Sequence, residues 1–371
     1  MKPGTFGKAL CLSLFFALAS GGLFAEELIQ TAILLDTSSS MDGLIDQART
    51  QLWKIVNELA TARRNGVSPT LEVALYEYGN DGIPADAGYI RRVLPLTRDL
   101  DKVSEALFAL TTNGGSEYCG AVIQRASREL AWSPSADALK LVFIAGNEEF
   151  TQGAVDYRVS CREAVAKGII VNTIFCGPVE EGKRTFWLAG AELADGRYFS
   201  IDQDAAVAYV KAPQDDEILR LNNELNKTYL AYGREGVAGK ERQTAQDANA
   251  AASGAGTMVE RSIAKSKSQY SNEGWDLVDA YNAGKADLKA MAPETLPPEL
   301  RGKTAEEQRA IIAAKTGERM EIQNKINALE KERQAYLDKE KKNKSGQATL
   351  DAAIVSSIRE QAGKKNYAFA E

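Results

Sequence analysis

The sequence predicts an α/β fold: a doubly wound, mostly parallel sheet followed by an all-α region. Three observations carry that expectation. Apolar runs of strand length alternate with amphipathic stretches as far as about residue 212, the order that builds a parallel sheet covered on both faces. Beyond Pro213 the strand-like runs stop and helical periodicity takes over. The charge balance shifts at the same place. Residues 213–371 hold 25 basic and 25 acidic side chains, so the net charge of −6 arises ahead of them. The length of 371 residues, 44% of them hydrophobic, accommodates two such parts. The expected division is 1–25 as an export signal, 26–212 as the α/β domain and 213–371 as a helical bundle or coiled coil.

The elements follow in order. Leu28 to Leu35 (LIQTAILL) reads as the first strand. Ile45, Ala48, Leu52, Ile55, Val56 and Leu59 recur at helical spacing, which predicts a helix over 44–59. Strands are expected at 71–78, 89–96, 139–145 and 169–175, with a short edge strand at 197–201. Helices are expected at 99–110, 120–132, 156–167 and 185–193. In the second part Ile218, Leu221, Leu225, Tyr229 and Tyr232 form a helical stripe, interrupted by Gly233, Gly236 and Gly239. Residues 240–269 read as a polar helix, and Trp275 to Tyr281 as a short amphipathic element. Thr304 and Glu307 have the spacing of a capping box ahead of a long helix striped by Ile311, Ile322, Ile326, Leu329 and Tyr336. Packing on the first helix of this region, antiparallel, competes with a coiled-coil reading. A last helix is expected over 350–358.

The N-terminus has the layout of a secretory signal peptide. Lys2 and Lys8 precede the apolar run Ala9 to Ala19, and small residues lead to a cleavage point after Ala25, with Gly22 as an alternative. The run is too short to span a membrane, which takes roughly 20 residues. An exported protein is therefore expected, in the periplasm first, with the extracellular space or cell surface open as alternatives.

Composition removes whole classes of function. The chain has no His, so a Ser-His-Asp triad, a Cys-His pair and a His-ligated zinc site are all excluded. Its acidity argues against nucleic acid, whose phosphates need clustered Lys and Arg. A metal would have to be held by oxygen, the ligand that suits Mg²⁺, Mn²⁺ and Ca²⁺.

One constellation carries chemistry. The first strand ends in Asp36-Thr37-Ser38-Ser39-Ser40-Met41-Asp42-Gly43. A carboxylate and two hydroxyls at alternate positions, Asp36, Ser38 and Ser40, can turn to one side of a loop and offer a hard cation three oxygen-bearing groups. The loop lies at the carboxyl end of a parallel strand, where ligands of open α/β sheets bind. The same residues on their own also suit a helix N-cap, in which they satisfy only backbone N–H groups.

Asp-x-Ser-x-Ser directly after the first strand, in this βα order, resembles the von Willebrand factor type A domain and its metal-ion-dependent adhesion site. The resemblance covers about residues 28–212 and places the 89–96 strand as the antiparallel edge. It implies a second loop supplying a Thr within Gly-Gly-Thr. Here the loop reads TTNGGSEYCG, so Ser116 takes that position, with Thr112 as a fallback and Glu117 either serving the site or facing water. It implies an Asp after the fourth strand, 139–145. Here Gly146 stands at that position, and Asn147 or Glu148 would have to reach the metal or its water shell. The implied metal set is Asp36, Ser38, Ser40, Ser116, Asn147 and Glu148. The implied function is a protein-interaction module that binds a partner's acidic side chain through Mg²⁺, Mn²⁺ or Ca²⁺. Gly146 supports an alternative, a metal-free scaffold whose helical region makes the contacts. A metal-dependent hydrolase is the least favoured reading, since Asp36 and Glu148 alone converge and no nucleophile–base pair is evident; no enzymatic activity is expected.

Three cysteines remain after signal removal: Cys119, Cys161 and Cys176. In an oxidising compartment one disulfide plus one thiol is the simplest arrangement. Cys119–Cys161 is the expected pair, because the helices bearing them should lie side by side.

Overall fold

The computed structural model describes residues 27–42, 54–55, 58–201, 209–344 and 350–369. The signal segment and most of the helix expected over 44–59 lie outside the described residues.

Six strands form one sheet in the order β4-β3-β1-β5-β6-β7. They are β1 (Leu28–Asp36), β3 (Thr70–Tyr78), β4 (Ile90–Thr97), β5 (Leu139–Gly146), β6 (Ile169–Cys176) and β7 (Tyr198–Ile201). Every pairing is parallel except β3 with β4, so the sheet has one antiparallel edge strand. β2 (Ala62–Arg63) pairs separately with β8 (Ala368–Phe369). The helices of the first part are α1 (Leu100–Phe108), α2 (Cys119–Glu129), α3 (Tyr157–Ala166), α4 (Val179–Arg184) and α5 (Trp187–Leu193). The helix expected over 185–193 is α5; the short α4 precedes it as an additional element, and Thr185 and Phe186 separate the two, Phe186 in the left-handed region at φ 71°.

Alternation along the strands builds two cores. Ile29, Ile33 and Leu35 of β1 face one side with Leu71, Val73 and Leu75 of β3 and Leu141 and Phe143 of β5. Ala32, Leu34, Ala74, Tyr76, Val142 and Ile144 face the other, against Val122, Ile123 and Ala126 of α2 and against α3 and α5. Such period-two division is what pleating imposes on a strand buried on both faces.

The second part is helical: α6 (Asp215–Asn226), α7 (Gly236–Ala252), α8 (Ala255–Lys265), α9 (Leu277–Asn282), α10 (Ala305–Lys344) and α11 (Leu350–Gly363). It is not a separate globule. Ile218, Leu221, Leu225, Val259, Ile263, Ile322, Ile326, Ile354 and Ile358 join the first sheet core in one continuous cluster. α10 runs antiparallel to α6, since Arg333 reaches Asp215 and Arg319 reaches Thr228 just beyond the other end of α6. The Thr304–Glu307 capping box forms: Thr304 N donates to Glu307 Oε2 at 2.7 Å and Glu307 N to Thr304 Oγ1 at 3.3 Å. α6 stops at Asn226, so Tyr229 and Tyr232 of the expected stripe lie beyond it, and Gly236 opens α7 instead of interrupting a helix. α11 returns to the sheet, where Gln361 and Asn172 exchange buried hydrogen bonds.

The cysteine expectation is corrected. α2 and α3 do pack side by side, but Cys119, Cys161 and Cys176 are all free and buried. Cys119 Sγ lies 3.8 Å from Tyr78 Oη, under the sheet, whereas Cys161 Sγ faces the Gly190 carbonyl of α5 at 3.5 Å. The two thiols point to different neighbours, and each is pushed up by burial, Cys161 to about 12.

Candidate metal centre

β1 and β5 are neighbours whose following connections leave in opposite directions along the sheet, so their carboxyl ends form its crevice. Asp36 ends β1 and Gly146 ends β5 in adjacent register. A third segment, residues 111–118, closes over them from the loop ahead of α2.

Asp36 is fully buried. Its Oδ1 accepts the Ser38 backbone N–H at 2.8 Å, a local turn that folds the loop back on the strand end. Ser38 Oγ lies 2.8 Å from Ser40 Oγ, and Ser40 Oγ donates to Asn147 Oδ1 at 3.0 Å. The Asn147 amide returns a bond to the Ser40 carbonyl at 3.3 Å. Four of the six expected residues, Asp36, Ser38, Ser40 and Asn147, are thus joined in one chain of contacts across the first and third loops. Glu148 lies close enough to raise the charge cost at Asp36. Its carboxylate accepts from Gln152 Nε2 at 3.3 Å and its carbonyl from Trp187 Nε1 at 2.7 Å. Ser116 is half-buried beside Glu117 on the second loop. Thr112, the fallback, donates to Asp42 at the rim.

Two glycines make the crowding possible. A Cβ on Gly115 would strike the backbone of Gly79, whose carbonyl carbon would stand 2.8 Å away. Gly79 itself has φ +79°, and a Cβ there would sit 2.7 Å from Asp36 Oδ1 and 2.8 Å from Glu117 Cγ. Asn80 then ties the loops together: its side chain donates to the Thr111 carbonyl at 2.9 Å and accepts the Gly82 N–H at 2.8 Å.

Gly146 stands where a third-loop carboxylate would have to start. A Cβ there would be 3.1 Å from Asp36 Oδ2 and would overlap the Tyr78 hydroxyl. That hydroxyl donates to the Ala145 carbonyl at 2.9 Å, so it is fixed in place. Tyr78 was not legible as a site residue, because its position on a buried strand reads only as core.

The electrostatics are one-sided. Burial pushes Asp36 up to about 7, and Glu117 and Glu148 act in the same direction against the Ser38 hydrogen bonds. Glu117 is buried as well and is raised by burial, with Glu148 and Asp81 adding to the rise. Among the described residues Asp36 Oδ2 has no hydrogen-bond partner. A buried carboxylate oxygen without a partner is costly and uncommon. A cation beside it would remove that cost, and the donors within reach are oxygens, as a hard divalent ion requires. Among the described residues no three Asp, Glu or Cys side chains gather closely enough to hold a metal by themselves. The hydroxyls of Ser38 and Ser40 would have to contribute.

Residues 32–206 match the family model of the von Willebrand factor type A domain. Residues 32–206 form a VWA domain. Solved structures are similar to it at low identity. One is the conserved hypothetical protein BatB from Bacteroides thetaiotaomicron, 18% identical, covering 48% of this chain and 92% of that one with a TM-score of 0.37. A second is proximal thread matrix protein 1 from the mussel byssus with a zinc-occupied MIDAS motif, 13% identical over 49% of this chain and 43% of that one, TM-score 0.36. A third is the SpRpn10 VWA domain, 17% identical over 47% and 88%, TM-score 0.35. No curated protein matches the chain. VWA domains are generally interaction modules. No helix among the described residues is long and apolar enough to cross a membrane.

Proposed function

We propose that the VWA domain binds a protein partner through a divalent cation held at the carboxyl edge of the sheet. Asp36, Ser38 and Ser40 form the base of the site; Ser116, Asn147 and Glu148 complete it directly or through water. Mg²⁺ is the favoured ion, with Mn²⁺ and Ca²⁺ as alternatives. The partner presents an acidic side chain to the open position of the cation. The chain acts as an exported binding protein, in the periplasm or at the cell surface, without catalysis of its own. Residues 213–371, packed on the domain, hold the binding edge in a fixed frame.

The observation that carries this reading is the unpartnered oxygen of buried Asp36 beside the Ser38–Ser40 hydroxyl pair. Isothermal calorimetry of the protein with Mg²⁺, Mn²⁺ and Ca²⁺ tests it. Heat from one site, absent in Asp36→Ala, is the expected result. Equal heat in both proteins would sink it.

One observation favours a second reading, a metal-free scaffold. Gly146 offers no carboxylate, and Tyr78 occupies the space one would need. Partner capture that survives a chelator would select this reading.

A further inference from the structure

We propose that Glu117 is itself a ligand of the cation, supplying from the second loop the carboxylate that Gly146 cannot supply from the third. This inference rests on the cation reading above. It is carried by placement. Glu117 follows Gly114-Gly115-Ser116 on a surface loop, where a glutamate ordinarily points into water. Here its residue is only 6% exposed. A Cβ on Gly79 would stand 2.7 Å from Asp36 Oδ1 and 2.8 Å from Glu117 Cγ, so the two carboxyl-bearing side chains approach the same point. Ser38, whose hydroxyl contacts Ser40 at 2.8 Å, is also within hydrogen-bonding reach of Glu117. The Glu117 backbone N–H is held by Gln152 Oε1 at 3.3 Å, and the same Gln152 holds Glu148 through its amide nitrogen.

A separate observation points to a ligand on the same carboxyl group. Asp36 is completely buried and, among the described residues, its Oδ2 has no partner. Two buried carboxyl groups close together, one with an unsatisfied oxygen, repel each other when both are ionised, and a proton or a positive charge between them removes that cost. The leading charged neighbours of both are further carboxylates, Glu148 for Asp36 and Glu148 and Asp81 for Glu117. Among the described residues no Lys or Arg is a leading charge on either group, and a divalent ion would balance the pair.

The assignment changes what the site does. With Asp36 alone, the ion would keep a net positive charge and lean on a partner's acid to be retained. With Asp36 and Glu117 together, two negative charges match the ion, because affinity follows ligand charge count. The centre then loads in the free protein. The partner's acid adds to a preformed site instead of completing a half-built one.

The test is calorimetry of the full chain with Mg²⁺ and Mn²⁺, on wild type, Glu117→Gln, Glu148→Gln and Asp36→Ala, together with melting curves in chelator and in excess metal. The expected result is one-site binding by wild type without partner, weakened about tenfold or more in Glu117→Gln, the scale on which losing a group around a metal acts. Glu148→Gln should change it far less. In chelator Glu117→Gln should melt at or above wild type, since an unpaired buried charge has gone, while the metal-induced rise in Tm shrinks. A structural role would lower Tm in chelator instead. Unchanged affinity in Glu117→Gln, with Asp36→Ala still abolishing binding, would overturn this assignment and leave the cation reading standing. Absence of binding by wild type would overturn the assignment, and equal heat in Asp36→Ala would overturn both.

Discussion

At the scale of single residues, the site is decided by what cannot fit as much as by what is present. Tyr78 excludes a side chain from position 146, and Gly79 and Gly115 let three loops meet around Asp36. Gly115→Ala should therefore destabilise the protein by about 1–3 kcal/mol, the range for overpacking, and weaken cation binding with it. Urea unfolding and calorimetry on the same sample check both; wild-type behaviour in each would show that the loops do not need this approach. The sequence made Asp36, Ser38 and Ser40 legible because a motif at a strand end has a fixed direction. Asn147 was legible only as one of two neighbours beside the vacant third-loop position, and the structure seats it against Ser40. Glu117 was ambiguous because burial of a loop side chain depends on which other loop closes over it. Tyr78 carries no sequence signal distinct from core packing.

At the scale of elements, helices of the second part are fastened by buried charge, of which their balanced composition gives no sign. Arg261 of α8 binds Asp101 of α1 at 2.9 Å and Asp247 of α7 at 2.6 Å, and Lys265 reaches Asp247 at 2.7 Å. Tyr270 closes the group on Asp101 at 2.6 Å. A count of balanced charges cannot reveal this, because partners lie up to 169 positions apart. Burial alone would raise the Asp247 carboxyl, but Lys265 and Arg261 hold it well below its ordinary 3.8. The sign follows from linkage. The folded form binds its proton later than the unfolded form, so the stabilisation is present above about pH 4 and is lost as pH falls below 3.8. Melting temperature should drop steeply there, and Asp247→Asn should flatten that drop while lowering stability at neutral pH. An identical acid slope in the variant would remove Asp247 from the explanation. The cysteines teach the same lesson in reverse: α2 and α3 were correctly placed as neighbours, but the direction of each thiol was not readable from helix order.

At the scale of the molecule, the two compositional halves share one core. α6, α8, α10 and α11 cover the sheet face that carries Ile29, Leu75 and Phe143, opposite the face covered by α2, α3 and α5. The sheet class was legible because both its pattern and its connections are local. The joining of the halves was not, since helical stripes show that a face is buried and not what buries it. β1 and β5 are held in register by their own parallel pairing under the three loops, and the central claim is that a divalent cation sits there. Anomalous scattering from crystals of the full chain soaked in Mn²⁺ tests it most directly. The expected result is one peak in contact with Asp36, Ser38 and Ser40 and with Glu117 among its neighbours. No peak at the carboxyl edge, with manganese bound elsewhere or nowhere, would contradict it.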